Sequence, residues 1–171
     1  AMLGRLRVTE RALGYEKRRV IGQDRLGSYP LDLPPHTFET VGLWLAIPAT
    51  LVTGLRERHH QVMGSLHAAE HAMIALLPLL ALCDRQDIGG ISTPLHPQVE
   101  GPAIFIYDGC PGGIGLTKRG HGAVSTWVEW TRDLLAEPDG ETVNGALGGR
   151  IPDILTRTAE VAAPEEIFTI A

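Results

Sequence analysis

The stretch Leu66–Gly90, LHAAEHAMIALLPLLALCDRQDIGG, decides how the rest of the chain is read. Every residue from Ala72 to Cys83 is apolar, the composition of a helix buried on all sides. Pro78 sits inside this run; it removes one backbone donor and predicts a kink one turn earlier. Asp84-Arg85-Gln86-Asp87 then returns the chain to water, and Gly89-Gly90 reads as the stop. At the front of the helix His67, Glu70 and His71 stand three and four residues apart, a spacing that places them on one helical face.

Working toward the N-terminus, Thr37–Ile47 (TFETVGLWLAI) has the side chains of a strand, closed by Pro48. A helix is expected to begin near Thr50–Glu57 and to run, with or without a break, to Cys83. Residues 26–36, LGSYPLDLPPH, read as a proline-rich connection with no room for long regular structure. Arg5–Val20 alternates apolar and charged residues around Gly14, as a strand or a hairpin with one wet face would.

Toward the C-terminus, Ala103–Tyr107 (AIFIY) is short, continuous and apolar, the signature of a buried central strand. The turn DGCPGGIG follows at Asp108–Gly115, and Ile114–Leu135 reads as a second helix carrying Trp127 and Trp130. A strand, a glycine-rich turn and a helix in that order is a common setting for functional loops. Pro138-Asp139-Gly140 marks a turn, and Ile151–Val161 is expected to be helical. These segments predict an α+β domain in which a mixed β-sheet is packed by two main helices, about 57–83 and 112–136. The domain occupies residues 1–136, and residues 137–171 form a divergent, loosely packed tail.

At 171 residues the chain suits one domain able to bury its own core. Two cysteines, Cys83 and Cys110, make no disulfide framework. The chain opens on charged residues with no secretory signal pattern, and its longest apolar run has 12 residues, short of the roughly 20 that span a bilayer. A cytoplasmic protein without membrane contact is the expectation. Net charge is −5, yet residues 1–25 carry seven basic side chains against three acids. Such a segment suits a solvated edge strand protected by charge, or contact with phosphate as a stand-alone nucleic-acid-binding module.

Three patterns bear on chemistry. His67-Ala-Ala-Glu70-His71 can clasp one ion, and His60 falls within about 40° of both histidines on a helical wheel. It is also the H-x-x-E-H order of zinc peptidases, where the two histidines bind metal and Glu70 would be the catalytic base. That chemistry needs another carboxylate ligand, for which Glu129, Glu137 and Glu141 are candidates. The plainer reading is a local polar network where the helix enters the core, joined by Asp84 and by Asp108, so that the cluster meets the Asp108 turn. The turn itself, with Gly109, Gly112, Gly113 and Gly115, lets a backbone approach a ligand, but lacks the Gly-Lys-Ser/Thr of a phosphate loop and the dinucleotide fingerprint. Holding Asp108 near the helix is the competing role. Cys110 at a helix start is a conceivable nucleophile, with no partner fixed by the sequence.

With these segments set out, the chain resembles the C-terminal domain of mitomycin repair factor-like helicases. The resemblance lies in TFETVGLWL, LHAAEHAMIALLPLLALCDRQDIGGIST and IFIYDGCPGGIGLTKRG, with GYEKR at Gly14–Arg18 and PLDLPP at Pro30–Pro35, and spans roughly residues 5–136. It implies a non-catalytic accessory domain, long catalogued as of unknown function, attached in one polypeptide to an ATP-dependent DEAD/DEAH-box motor that works on DNA in repair. No Walker lysine loop or D-E-x-H/D box occurs here, so ATP hydrolysis is expected of other domains. The resemblance also implies zinc held by four cysteines, one matching Cys83 and three in a cluster after the second helix. This chain departs there: AEPDGETVNGALGGR after Leu135 contains no cysteine, which leaves the family-type site incomplete. The rival readings are a zinc metallohydrolase built on His67, Glu70 and His71, and the nucleic-acid-binding module.

Overall fold

The computed structural model describes residues 1–22, 24–57, 62–136, 155–161 and 168–169. Its elements run β1 (Met2–Ala12), β2 (Gly14–Arg18), β3 (Arg25–Pro30), β4 (His36–Ala46), α1 (Ala49–Glu57), α2 (Val62–Ala81), β5 (Ile88–His96), β6 (Gly101–Asp108), α3 (Leu116–Gly122), α4 (Val124–Ala136), β7 (Leu155–Val161) and β8 (Phe168–Thr169). The main sheet has the order β5-β6-β4-β1-β7, with β8 also on β1, and β2-β3 form a separate hairpin. Every described pairing is antiparallel. The α+β class holds, and AIFIY is the buried centre of β6, flanked by β4 and β5.

Strand periodicity sorts the core into two layers. Leu3, Leu43, Ile88, Ile104 and Ile106 face the helices, where Leu66, Met73, Ile74, Leu77 and Trp127 meet them. Leu6, Val8, Trp44, Phe105 and Tyr107 point to the opposite face. The end strands β5 and β7 approach each other, so the sheet curls around that second layer. Trp127 Nε1 donates to the Met73 carbonyl at 3.0 Å and fastens α4 to α2. Arg119 donates to the Ala81 carbonyl at 2.8 Å, meeting a backbone acceptor that the end of α2 leaves over. The 20 residues of α2 are long and apolar enough to cross a membrane, but here their apolar face lies on the sheet.

Several expectations need correction. The helix of the opening stretch ends at Ala81, where Leu82 takes the left-handed conformation at φ 52°. Gly89 and Gly90 do not stop it; they belong to β5, opposite Tyr107 and Ile106. The second helix starts at Leu116 and divides at Ala123 into α3 and α4. The alternation around Gly14 is no hairpin of its own, because β1 pairs with β4 and β7 while β2 pairs with β3. For the same reason β1 is an interior strand, not an edge. Part of the proline-rich connection is β3, with its only strand proline at the last position, where a missing donor costs no interior ladder bond. Residues 155–161 are a strand and not a helix, pairing with Leu6–Ala12. The turn at Pro138–Gly140 and residues 151–154 lie outside the described residues.

Candidate functional site

The face of α2 that meets β5 carries His67, Glu70 and His71. Glu70 is 3% exposed. It reaches this depth because Gly90 opposite has no side chain: a Cβ there would stand 2.6 Å from Ile74 Cδ1 and 3.0 Å from Glu70 Oε1. Ser92 Oγ donates to Glu70 Oε2 at 2.6 Å, and His67 Nδ1 lies 3.4 Å from the same oxygen. The His67 and His71 rings are 4.2 Å apart, edge to face. One donor atom from each of the three residues can be chosen so that all lie within 4.8 Å of one another. Among the described residues it is the one such group of three. His60, Glu137 and Glu141 lie outside the described residues. Glu129 is exposed on α4 and is not in the group.

Asp108 ends β6 as a second buried carboxylate, and its surroundings differ. Oδ2 accepts from the backbone N–H groups of Ile114 and Gly115 at 2.7 Å each and of Leu116 at 3.2 Å. Oδ1 accepts from the Thr117 N–H and hydroxyl, each at 2.8 Å. The glycine-rich turn thus folds inward: Gly112, Gly113 and Gly115 have φ of 82°, 73° and 88°, which glycine adopts without strain. Amides that could have met a phosphate already serve Asp108. Gly109 N–H donates to the Asp87 carbonyl at 2.7 Å, and the Thr40 hydroxyl to the carbonyls of Asp108 and Cys110.

The expected meeting of the α2 cluster with the Asp108 turn does not occur. Among the described hydrogen bonds none joins them: Glu70 accepts from Ser92 with His67 beside it, whereas Asp108 accepts from Ile114 to Thr117. Asp84 belongs to neither: it is exposed, and its Oδ1 caps the 3₁₀ turn Arg85–Asp87 by accepting from the Gln86 N–H at 3.0 Å. Ser92, the nearest partner of Glu70, gave no sequence signal, since it lies 22 residues away on another element.

Five of the seven basic side chains of residues 1–25 are in ion pairs, with three carboxylates of which only Glu16 lies within that segment. Arg5 and Arg7 pair with Glu39, Arg11 with Asp32, and Arg18 and Arg25 with Glu16. These arginines hold the half-buried Glu39 and Glu16 carboxyls below the usual range. A cleft of about 230 Å³ between His36, Gln86 and Tyr107 falls below the roughly 300–1,000 Å³ of small-molecule sites.

The family described as the MrfA Zn-binding domain matches residues 69–162. The chain is 30% identical over 106 residues to "Uncharacterized ATP-dependent helicase YprA" of Bacillus subtilis, covering 61% of this chain and 14% of that protein. It is 38% identical over 56 residues to "Uncharacterized protein MJ1572.1" of Methanocaldococcus jannaschii, covering 31% of this chain and 50% of that one. A crystal structure of the DUF1998 helicase MrfA bound to DNA superposes with a TM-score of 0.57 at 24% identity, over 89% of this chain and 20% of that chain; this likeness is one of fold.

Proposed function

Because the chain belongs to the MrfA Zn-binding domain family, we propose that it is the accessory domain of an ATP-dependent DNA helicase and serves that enzyme in DNA repair. The observation that carries this reading is proportion. The family model matches residues 69–162, from within α2 through β5, β6, the Asp108 turn and α4, and a likeness over 106 residues covers only 14% of a protein named as a helicase. Motor domains in the same polypeptide occupy the remainder, and this domain packs beside them as a stiff α+β unit.

The four-cysteine zinc site of the resemblance does not fit this chain. Cys83 and Cys110 are its two cysteines, whereas a structural zinc takes four ligands. Burial pushes the Cys83 thiol up, and the Asp87, Asp108 and Asp84 carboxylates add to the effect; a thiol that keeps its proton is a poor metal ligand. The accessory role therefore rests on the fold and not on cysteine-bound metal. Of the carboxylates that peptidase chemistry would need as a further ligand, Glu129 lies outside the α2 cluster, and Glu137 and Glu141 lie outside the described residues.

The test is made on the complete polypeptide. It is expected to contain an ATP-binding motor, and removal of residues 1–171 is expected to impair DNA unwinding. The isolated chain is expected to hydrolyse no ATP. A parent protein with no motor, unwinding that survives the deletion intact, or ATP turnover by the clean isolated chain would each overturn the reading.

A further inference from the structure

We infer that His67, Glu70 and His71 form a zinc site, separate from any cysteine site and independent of the helicase assignment. The starting point is the charge on Glu70. A carboxylate 3% exposed needs a cation or a full set of donors. Ser92 supplies one short hydrogen bond, and His67 stands at 3.4 Å. Among the described residues no lysine or arginine pairs with Glu70. A proton on one imidazole would place a single charge at that longer distance, and protons on both would set like charges on rings 4.2 Å apart. One divalent ion between the three side chains neutralises the carboxylate and leaves both imidazoles neutral.

The donor set names the ion. Two imidazoles and one carboxylate are the ligands of three-protein-ligand zinc sites, in which water takes the fourth place. Tetrahedral bonds of about 2.0–2.1 Å space the donor atoms about 3.4 Å apart. Here they lie within 4.8 Å, so the side chains must draw in by up to about an ångström to close on an ion; His67, 45% exposed, is 3.4 Å from the carboxylate and has room to move. That exposure also gives the ion and its water a way in. Ser92 holds the carboxylate from behind, as outer-shell donors do in metal sites, and Gly90 leaves the space in which the carboxylate sits.

The experiment uses the purified chain, stripped with chelator and titrated with zinc sulfate. One zinc per chain is expected. Cobalt(II) in its place should show a tetrahedral nitrogen–oxygen spectrum with no sulfur-to-cobalt charge-transfer band. The double variant Cys83→Ser/Cys110→Ser should keep the ion. Ser92→Ala should weaken it about tenfold and His67→Ala further still. His67 is far enough in solvent for its variant to fold, which circular dichroism checks. Substoichiometric zinc in the parent chain, affinity unchanged in His67→Ala, or a sulfur band lost in the double cysteine variant would each overturn the site. None of these results bears on whether a motor domain precedes the chain, so the two readings fail separately.

Discussion

Among the described residues two carboxylates are buried, Asp108 and Glu70, and their surroundings are opposites. Asp108, at the end of β6, is enclosed by five donors from one short turn and one helix start. Glu70, in the middle of α2, has one short hydrogen bond and two imidazoles for neighbours. A satisfied buried charge is a structural fastener: it fixes the loop that wraps it and leaves no atom to bind anything else. An undersupplied one among metal-type donors is poised to take a ligand. Burial alone does not separate the two roles; the donor count around each carboxylate does.

The largest expected effect comes from breaking the fastener. Asp108→Ala strands buried amides at the start of α3 and should cost about 3–5 kcal/mol, in the range of a broken buried charge network, read as a loss of unfolding free energy in urea. Asp108→Asn keeps one acceptor oxygen and should cost less, about 1–3 kcal/mol. Gly90→Ala acts on the other carboxylate. Its methyl would meet Ile74 and Glu70, so a loss of about 1–3 kcal/mol is expected, with weakened zinc uptake in the same titration. Glu70→Gln in chelator should change stability by less than about 1 kcal/mol, because it removes a charge the metal-free protein compensates poorly. Equal losses in Asp108→Asn and Glu70→Gln would erase the contrast between the two sites.

The smallest effect concerns His121 on α3. Burial pushes its imidazole below the ordinary value, with the N-terminal charge adding to the shift, and Nε2 has no hydrogen-bond partner among the described residues. The unfolded chain therefore binds this proton first as pH falls. The stability tied to the neutral ring is present above the unfolded imidazole's value and is lost as pH drops through the lower folded one. His121→Gln should flatten this acid limb by about 0.5 kcal/mol or less, measurable as urea midpoints in mild acid and at neutral pH.

Much of this was legible before any coordinates. The apolar run from Ala72 pointed to a helix against the core, but not to one buried on all sides, since Leu79 is 65% exposed; AIFIY read as the central strand, and three-and-four spacing brought His67, Glu70 and His71 to one face. What escaped depended on contacts distant in sequence. Gly89 and Gly90 look like a helix stop because glycine serves that purpose. Their role in β5 is seen only when Tyr107, Ile74 and Glu70 close over them. Leu82 ends the helix in a conformation that leucine seldom adopts, which no propensity would suggest. Residues 155–161 carry a pattern too weak to choose between helix and strand, and the waiting edge of β1 decides for them.

That edge also has a consequence for synthesis. One side of β1 pairs with β4, while the other is completed by β7 and β8. On the ribosome the first strand emerges early, but its outer hydrogen-bonding groups stay open until residues 155–169 have followed. Pairing across so long a span is slow to form, and an open strand edge invites pairing with other chains. The nascent domain is thus exposed to misassembly for most of its translation and becomes safe only when its last strands close the sheet.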